Sequence, residues 1–267
     1  MTLKNSGPLK KAAPLELVTV PCLADNFAFL LHDAKANQTA LIDAPEAAPI
    51  LAALKARGWG LDLILLTHHH DDHIQAVAGL RAATGARVTG AAADAHRLPA
   101  LDQAVAEGDR IAFGGEEAEV IDVSGHTLGH IAFYFPASGM VFTADSLMAA
   151  GCGRLFEGSP ETMWQSLSKL AALPPDILVG SGHDYLDGNL RFALALEPQN
   201  SALISRIEAL AGLRREGRLP MPSTLSEELA TNPFLRAHLP QLKQAVGLPD
   251  ASDAAVFAEI RARKDRF

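Results

Sequence analysis

The segment Thr67-His68-His69-His70-Asp71-Asp72-His73 constrains this chain more than any other. Four imidazoles and two carboxylates follow directly on residues 61–66, LDLILL, an almost wholly apolar run that reads as a strand buried on both faces. From residue 74 the spacing turns helical, and Gly85 ends it. The histidines therefore stand on a loop at the C-terminal end of a buried strand, where open α/β sheets hold their ligands. So many polar side chains have no place in a core. Neutral imidazoles and carboxylates are the ligands that bind zinc, iron or manganese. His68 and His70, two apart, share one side of an extended chain. Asp72 and His73 come after the turn and can serve a neighbouring point. The spacing predicts two adjacent metal ions rather than one. The competing reading, a solvated polar loop, leaves the buried strand and the interleaved aspartates unexplained.

Three more predicted strand ends deliver the same side chains. His126, flanked by Gly125 and Gly129, follows a strand ending at Val123. Asp145 follows the strand 140–144, and His183 follows the strand 176–180. Each alone is ordinary, since a lone Asp after a strand commonly caps a helix. Capping does not explain four strand ends that each bring His or Asp. Elsewhere in the first two-thirds, residues 15–21, 27–32, 38–43, 87–90, 110–113 and 119–123 read as strands, and 131–136 with 140–144 as a hairpin. Residues 46–57 and 160–171 read as helices. After about Tyr185 the strand signals cease. Helical spacing covers 189–196, 200–215, 226–230, 234–246 and 253–264, punctuated by prolines. The predicted organisation is an α/β region over 1–185 and an all-helical region over 186–267.

With 267 residues, 48% of them apolar, the chain can bury a sizeable core. A net charge of −8 argues against nucleic acid or a membrane surface as partner, and requires any anionic substrate to find a local cluster of cations. Two cysteines, Cys22 and Cys152, make no disulfide framework and fit a reducing compartment. Residues 1–14 carry Lys4, Lys10 and Lys11 with no apolar run behind them, which is not a secretory signal. No run approaches the roughly 18 apolar residues of a membrane span. A cytoplasmic protein, monomeric as a first expectation, follows.

The order His68, His70, Asp72, His73, then His126, Asp145 and His183, resembles the metallo-β-lactamase superfamily. Within it the chain is most similar to the glyoxalase II, or hydroxyacylglutathione hydrolase, family. The stretch VPCLADNF at 20–27, the loop GCGRLFEG at 151–158, GHDY at 182–185, NLRFALALEPQN at 189–200 and the terminal RARKDRF carry that likeness over nearly the whole chain. The resemblance implies a four-layered αββα sandwich followed by a helical glutathione-binding domain. It assigns His68, His70 and His126 to one metal, Asp72, His73 and His183 to the other, and Asp145 to both. Zinc is the first expectation for the pair of divalent ions, with iron and manganese the alternatives. The implied reaction is attack of activated water on a glutathione thioester, S-D-lactoylglutathione foremost, with Asp72 helping to orient the water. Arg154, Phe156, Tyr185, Arg261 and Lys264 are implied to contact the substrate. Arg154 stands where the family often has Lys, Phe156 where many members have Tyr, and Asp184 where the family has Glu. His130 is expected to buttress the site, and His69 and Asp71 to face away from it or make outer contacts.

Other enzymes share this metal motif. A persulfide dioxygenase would use one iron and typically lacks the long helical region. A periplasmic β-lactamase would carry a signal peptide, and a nuclease would need basic surface. A lactonase, or a metal- or glutathione-binding protein without catalysis, also remains among the readings. All seven metal-ligand positions are filled, which argues against a degenerate site.

Overall fold

The structure is a computed structural model and describes residues 15–267. Residues 1–14, read above for targeting signals, lie outside the described residues. The chain opens as an antiparallel meander of β1 (Glu16–Cys22), β2 (Asn26–Asp33) and β3 (Gln38–Ile42). It continues through α1 (Ala47–Arg57), β4 (Leu63–Leu65), the short α2 (Asp71–Ile74), α3 (Val77–Thr84), β5 (Arg87–Ala91), a 3-10 turn (Ala92–Asp94) and β6 (Gln103–Val105). Then come β7 (Arg110–Phe113), β8 (Glu116–Asp122), β9 (Ile131–Phe135), β10 (Met140–Ala144), a small hairpin of β11 (Leu147–Met148) and β12 (Gly151–Cys152), α4 (Pro160–Ala171) and β13 (Leu178–Ser181). The last part holds α5 (Leu186–Leu196), α6 (Ser201–Arg215), β14 (Ser223–Thr224), α7 (Leu225–Thr231), α8 (Pro240–Ala245) and α9 (Asp253–Asp265).

Two six-stranded sheets form, in the orders β1-β2-β3-β4-β5-β6 and β14-β13-β10-β9-β8-β7. Period-two alternation explains how they stack. Phe27, Phe29 and Leu31 of β2 face Ile131, Phe133 and Phe135 of β9 in a core between the sheets. Ala28 and Leu30 point the other way, onto Ile50 and Leu54 of α1 and Leu80 of α3. On the far side of the second sheet, Ala132 and Tyr134 meet Met163, Leu167 and Leu170 of α4 and Phe257 and Ile260 of α9. With both faces of β2 and β9 covered, their sequences are continuously apolar and the layers run helix, sheet, sheet, helix, as the resemblance implied.

The C-terminal helices do more than cover a face. Arg206 of α6 and Glu228 of α7, both buried, form an ion pair. Glu228 also accepts a hydrogen bond from the Ala150 N–H at 2.7 Å. Asn232 donates to the Met148 and Gly151 carbonyls at 3.1 and 2.9 Å, and Asn189 to that of Ala149 at 2.9 Å. The β11–β12 hairpin is thus held from the C-terminal side through its backbone.

Several elements depart from the sequence reading. The helix predicted to start at 74 is preceded by a separate turn, α2, which includes Asp72 and His73. The helix predicted over 234–246 shrinks to Pro240–Ala245, since Pro240 stands at its N-terminus. β6 and β14 were not predicted. With three and two residues, they are fixed by pairing to β5 and β13 and have no periodicity of their own. Among the described residues no helix is long and apolar enough to cross a membrane.

Candidate metal centre

All seven predicted metal-site residues meet at one edge of the stacked sheets. Hydrogen bonds from Phe27 N–H to the Gly182 carbonyl and from Asp184 N–H to the Asp25 carbonyl, both 2.8 Å, tie the sheets together there. His68 and His70 follow β4, and α2 turns Asp72 and His73 back over the same point. His126 follows β8 and His183 follows β13. Asp145 follows β10 just after a register shift between Phe142 and Ala144, and Ala144 has φ +41. A bulge of this kind re-aims the next side chain, here into the site. Gly182 is needed where it stands, because a Cβ there would run into the Asp145 carboxylate and lie 2.8 Å from His73 Cε1.

The donor atoms fall into two triads. His70 Nδ1 lies 3.1 Å from His68 Nε2 and 3.0 Å from His126 Nε2. His183 Nε2 lies 3.3 Å from His73 Nε2 and 3.3 Å from Asp72 Oδ2, which is 3.8 Å from His73 Nε2. Donors bound tetrahedrally to one ion at about 2.0–2.1 Å stand about 3.3–3.4 Å apart, so both spacings fit a cation with little adjustment. Asp145 sits between them. Its Oδ2 is 3.5 Å from His126 Nε2 and 3.3 Å from His183 Nε2, and its Oδ1 is 3.5 Å from His73 Nε2. Oδ1 is buried and has no hydrogen-bond partner among the described residues. A buried carboxylate oxygen without a donor is costly, and a cation resolves that cost. The donor set therefore fits divalent metal ions.

The ring nitrogens that point away are held by hydrogen bonds that set the tautomers. His73 Nδ1–H donates to Asp43 Oδ2 at 2.8 Å, and His183 Nδ1–H to Asp25 Oδ1 at 2.9 Å. His126 Nδ1–H donates to the Arg154 carbonyl at 2.8 Å. Thr67 Oγ1 donates to Asp43 Oδ2 at 2.8 Å and so accepts from His68 Nδ1–H at 3.0 Å. Each bond occupies the outer nitrogen and leaves Nε2 as the atom that faces the triads. Asp43, His68 and His73 also lie close enough to ligate a cation, but the hydrogen bonds just described account for that grouping. Asp25, Asp43 and Thr67 carried no role in the sequence reading. Asp43 ends a strand and Asp25 sits in a turn, both ordinary places for Asp. Its φ of +55 is the one feature that marks Asp43 as constrained.

The triads differ electrically. Burial pushes the His68 ring well below its ordinary pKa and also lowers His70 and His126, so their lone pairs are free. Burial opposes charge on His183 as well, but hydrogen bonds to Asp145 and Asp72 outweigh it and push the ring up to about 11. The hydrogen bond to His183 holds Asp72 well below the usual carboxylate range. Burial works against ionisation of Asp145, yet His73, His183 and His126 outweigh it and keep its carboxyl well below that range too. The carboxylate side thus demands positive charge, which a divalent ion supplies.

His130 is fully buried, stacks on His68 at 4.5 Å between ring centroids, and supports that ring by packing, since neither of its nitrogens has a hydrogen-bond partner among the described residues. Asp71 is exposed, and His69 turns away to Asp94 at 3.1 Å. Cys152 is buried, and burial pushes its thiol up to about 11, so it is no nucleophile at neutral pH.

A cleft of about 670 Å³ runs from His126 and Asp145 past Arg154, Phe156 and Tyr185 to Arg261 and Lys264. All five predicted substrate residues line it. Tyr185 stacks on His183 at 4.8 Å, and burial with the charges of Asp25, Asp145 and Asp72 pushes its phenol up to about 12, leaving a neutral donor. Phe156, 63% exposed, packs against His70 and His126 at 5.7 and 5.2 Å. The Arg154 guanidinium and the Lys264 ammonium hydrogen-bond to no other group among the described residues. Burial, then the charges of Arg261, Arg191 and Arg154, lower the Lys264 pKa, which marks a cluster of cations awaiting an anion. Arg261 is different. It is buried, donating to the Cys152 carbonyl at 2.9 Å and pairing with Asp265 at 2.8 Å.

Two family models match the chain: Metallo-beta-lactamase superfamily over residues 33–183 and Hydroxyacylglutathione hydrolase C-terminus over residues 184–267. Among similar proteins, the hydroxyacylglutathione hydrolase of Fuscovulum blasticum is 76% identical, the match covering 95% of this chain and 99% of that one. That of Ruegeria pomeroyi is 61% identical over 95% of this chain and all of the other. Among solved structures, ETHE1 from Myxococcus xanthus superposes with a TM-score of 0.62 at 23% identity, covering 94% of this chain and 98% of that one. TTHA1623 in a di-iron-bound form gives 0.60 at 27%, covering 82% and 100%. On this evidence the chain belongs to the hydroxyacylglutathione hydrolase family of the metallo-β-lactamase superfamily.

Proposed function

We propose that this protein hydrolyses S-D-lactoylglutathione and related glutathione thioesters to a 2-hydroxy acid and glutathione, using two divalent transition-metal ions. The observation that carries this reading is the cleft, with two triads of candidate metal donors at one end and, at the other, Arg154 and Lys264, which hydrogen-bond to no other group among the described residues. Glutathione carries two carboxylates, and Arg154 and Lys264 are placed to receive them. The names of the relatives over nearly full length favour this activity over a dioxygenase or a lactonase.

His68, His70 and His126 would hold one ion and Asp72, His73 and His183 the other, with Asp145 facing both sets of donors. When bound, the ions acidify water to a pKa near 7 and supply charge for a developing oxyanion. Asp145 would supply negative charge where two such cations repel. Asp72, ionised and held by Asn26 Nδ2 at 3.1 Å, orients the attacking water. Tyr185 offers a neutral donor beside His183. Phe156 flanks the acyl group, without the hydroxyl that the family resemblance leads one to expect there. Arg261 lines the cleft while holding the Cys152 carbonyl and with it the loop that carries Arg154. As the C–S bond breaks, glutathione leaves as a thiolate and needs no strong acid.

Zinc is our first assignment for the metal, and iron is supported by the di-iron form of TTHA1623. Manganese suits the same ligands. We place the domain boundary at 185/186, which the adjoining family matches support. A cytoplasmic monomer is our reading from the two free, buried cysteines and from a site built within one chain. A net charge of −8 supports a small-molecule substrate rather than nucleic acid or a membrane. A substrate panel tests the proposal. The metal-loaded protein should hydrolyse S-D-lactoylglutathione much faster than an acyl lactone, and should consume no oxygen with glutathione persulfide. Oxygen consumption or preferential lactone opening would overturn it.

A further inference from the structure

The loop carrying Arg154 and Phe156 is locked from a direction the hydrolytic reading does not use. Glu157, the residue after Phe156, pairs with Arg97 through both carboxylate oxygens. Its Oε2 also accepts from the Leu128 N–H at 2.7 Å. Arg97 donates in turn to Asp94 Oδ1 at 2.6 and 3.1 Å. Buried Asp94 binds His69, within the metal motif, through Oδ2 at 3.1 Å. Gly129 lies against the Asp94 carboxylate so closely that a Cβ would run into it. The metal loop, the turn after β5, the 124–130 loop and the 153–158 loop thus meet in one charged network. Phe156 needs it. The ring is largely exposed and, among the described residues, belongs to none of the buried apolar clusters that could hold it over His70 and His126. Its backbone N–H reaches the His126 carbonyl only at 3.3 Å. The neighbouring Glu157 carboxylate is gripped by a planar guanidinium fork, a strong anchor one residue from the ring.

We propose that Arg97, Glu157 and Asp94 are positioning residues that hold Phe156 against the reacting end of the substrate and thereby set acyl-group selectivity. This rests on the thioesterase reading above. A phenyl-bearing acyl group gains from the Phe156 ring, and a small one does not. The experiment compares kcat/KM for S-D-mandeloylglutathione and S-D-lactoylglutathione in Arg97→Ala, Arg97→Lys and Glu157→Gln, each also in a Phe156→Ala background, with metal content measured throughout. Arg97→Ala should lower the mandeloyl-to-lactoyl ratio about three- to tenfold, the scale of one aromatic contact, with metal content unchanged. Arg97→Lys, which keeps the charge but not the fork, should recover part of it. In the Phe156→Ala background the Arg97 and Glu157 substitutions should leave the ratio unchanged. The same shift with and without Phe156, or an equal loss on both substrates, would overturn the proposal. Should the wild-type protein hydrolyse neither thioester, the reaction assigned above fails instead. The ratio of affinities for S-benzylglutathione and S-methylglutathione, read by calorimetry in the same variants, then decides the role of Arg97 by the same criteria. Binding of neither conjugate by the wild-type protein would overturn it as well.

Discussion

Replacing Asp43 by Asn isolates the hydrogen bonds behind the proposed metal ligands. The backbone tolerates the change, because φ is +55 there and Asn accepts the left-handed region as readily as Asp. The chemistry does not. Asp43 receives three donors: Thr67 N–H on Oδ1 at 2.9 Å, and Thr67 Oγ1–H and His73 Nδ1–H on Oδ2, both at 2.8 Å. An amide offers one oxygen and one NH2. With its oxygen toward His73, the NH2 opposes the buried Thr67 N–H, a mismatch of about 1–3 kcal/mol. With its NH2 toward His73, the ring must move its proton to Nε2 and loses the lone pair that faces the metal. Either arrangement is expected to weaken one metal site about 10–100-fold, the range for outer hydrogen-bond partners of metal ligands, or about 1.4–2.8 kcal/mol. The loss should fall first on the proposed site of Asp72, His73 and His183, and an NH2 facing Thr67 Oγ1 would pass it on to His68 as well. Competition with a graded chelator, followed by metal analysis, reads it directly. Two ions retained with affinities within twofold of wild type would refute the assigned role of Asp43.

Other substitutions address separate parts of the molecule. Lys264→Ala and Arg154→Ala should each raise KM for a glutathione thioester about tenfold with kcat little changed, as expected for a charge-assisted contact to a carboxylate; steady-state kinetics check this. Glu228→Gln leaves Arg206 buried without its partner and should cost about 3 kcal/mol or more, seen as a fall of roughly 6–12 °C in melting temperature. Hydrogen bonding to Arg97 pushes Glu157 down to about 2 from an ordinary 4.5. Its contribution to stability is therefore complete above about pH 4.5 and is lost as pH falls toward 2, so Glu157→Gln should flatten the stability–pH curve in that window, as measured by denaturant titration.

The parts legible in the sequence were those with a local cause. The seven proposed metal-site residues stand out because they come at or just beyond the ends of apolar strands, and those ends converge. The layers came from the family resemblance, and β2 and β9, apolar on both faces, agree with them. What escaped is set by contacts distant in sequence. Asp43 meets His73 across 30 residues, Asp25 meets His183 across 158, and Arg97 meets Glu157 across 60. Nothing near any of these carboxylates distinguishes it from a cap or a turn residue. β14 pairs with β13 from within a stretch whose spacing reads as helical, and two residues leave no period to read. Arg261 shows a limit of resemblance, which implied a substrate contact but not that its fork is engaged by Asp265 and the Cys152 carbonyl.

The most direct test is hydrolysis of S-D-lactoylglutathione by the purified protein, by a chelator-stripped sample, and by that sample after stepwise addition of zinc or iron. Rapid release of glutathione that vanishes on stripping and returns in proportion to metal, reaching its maximum at two ions per chain, is the expected result. Undiminished hydrolysis by protein shown to be free of metal, or none by protein shown to hold two ions, would contradict it.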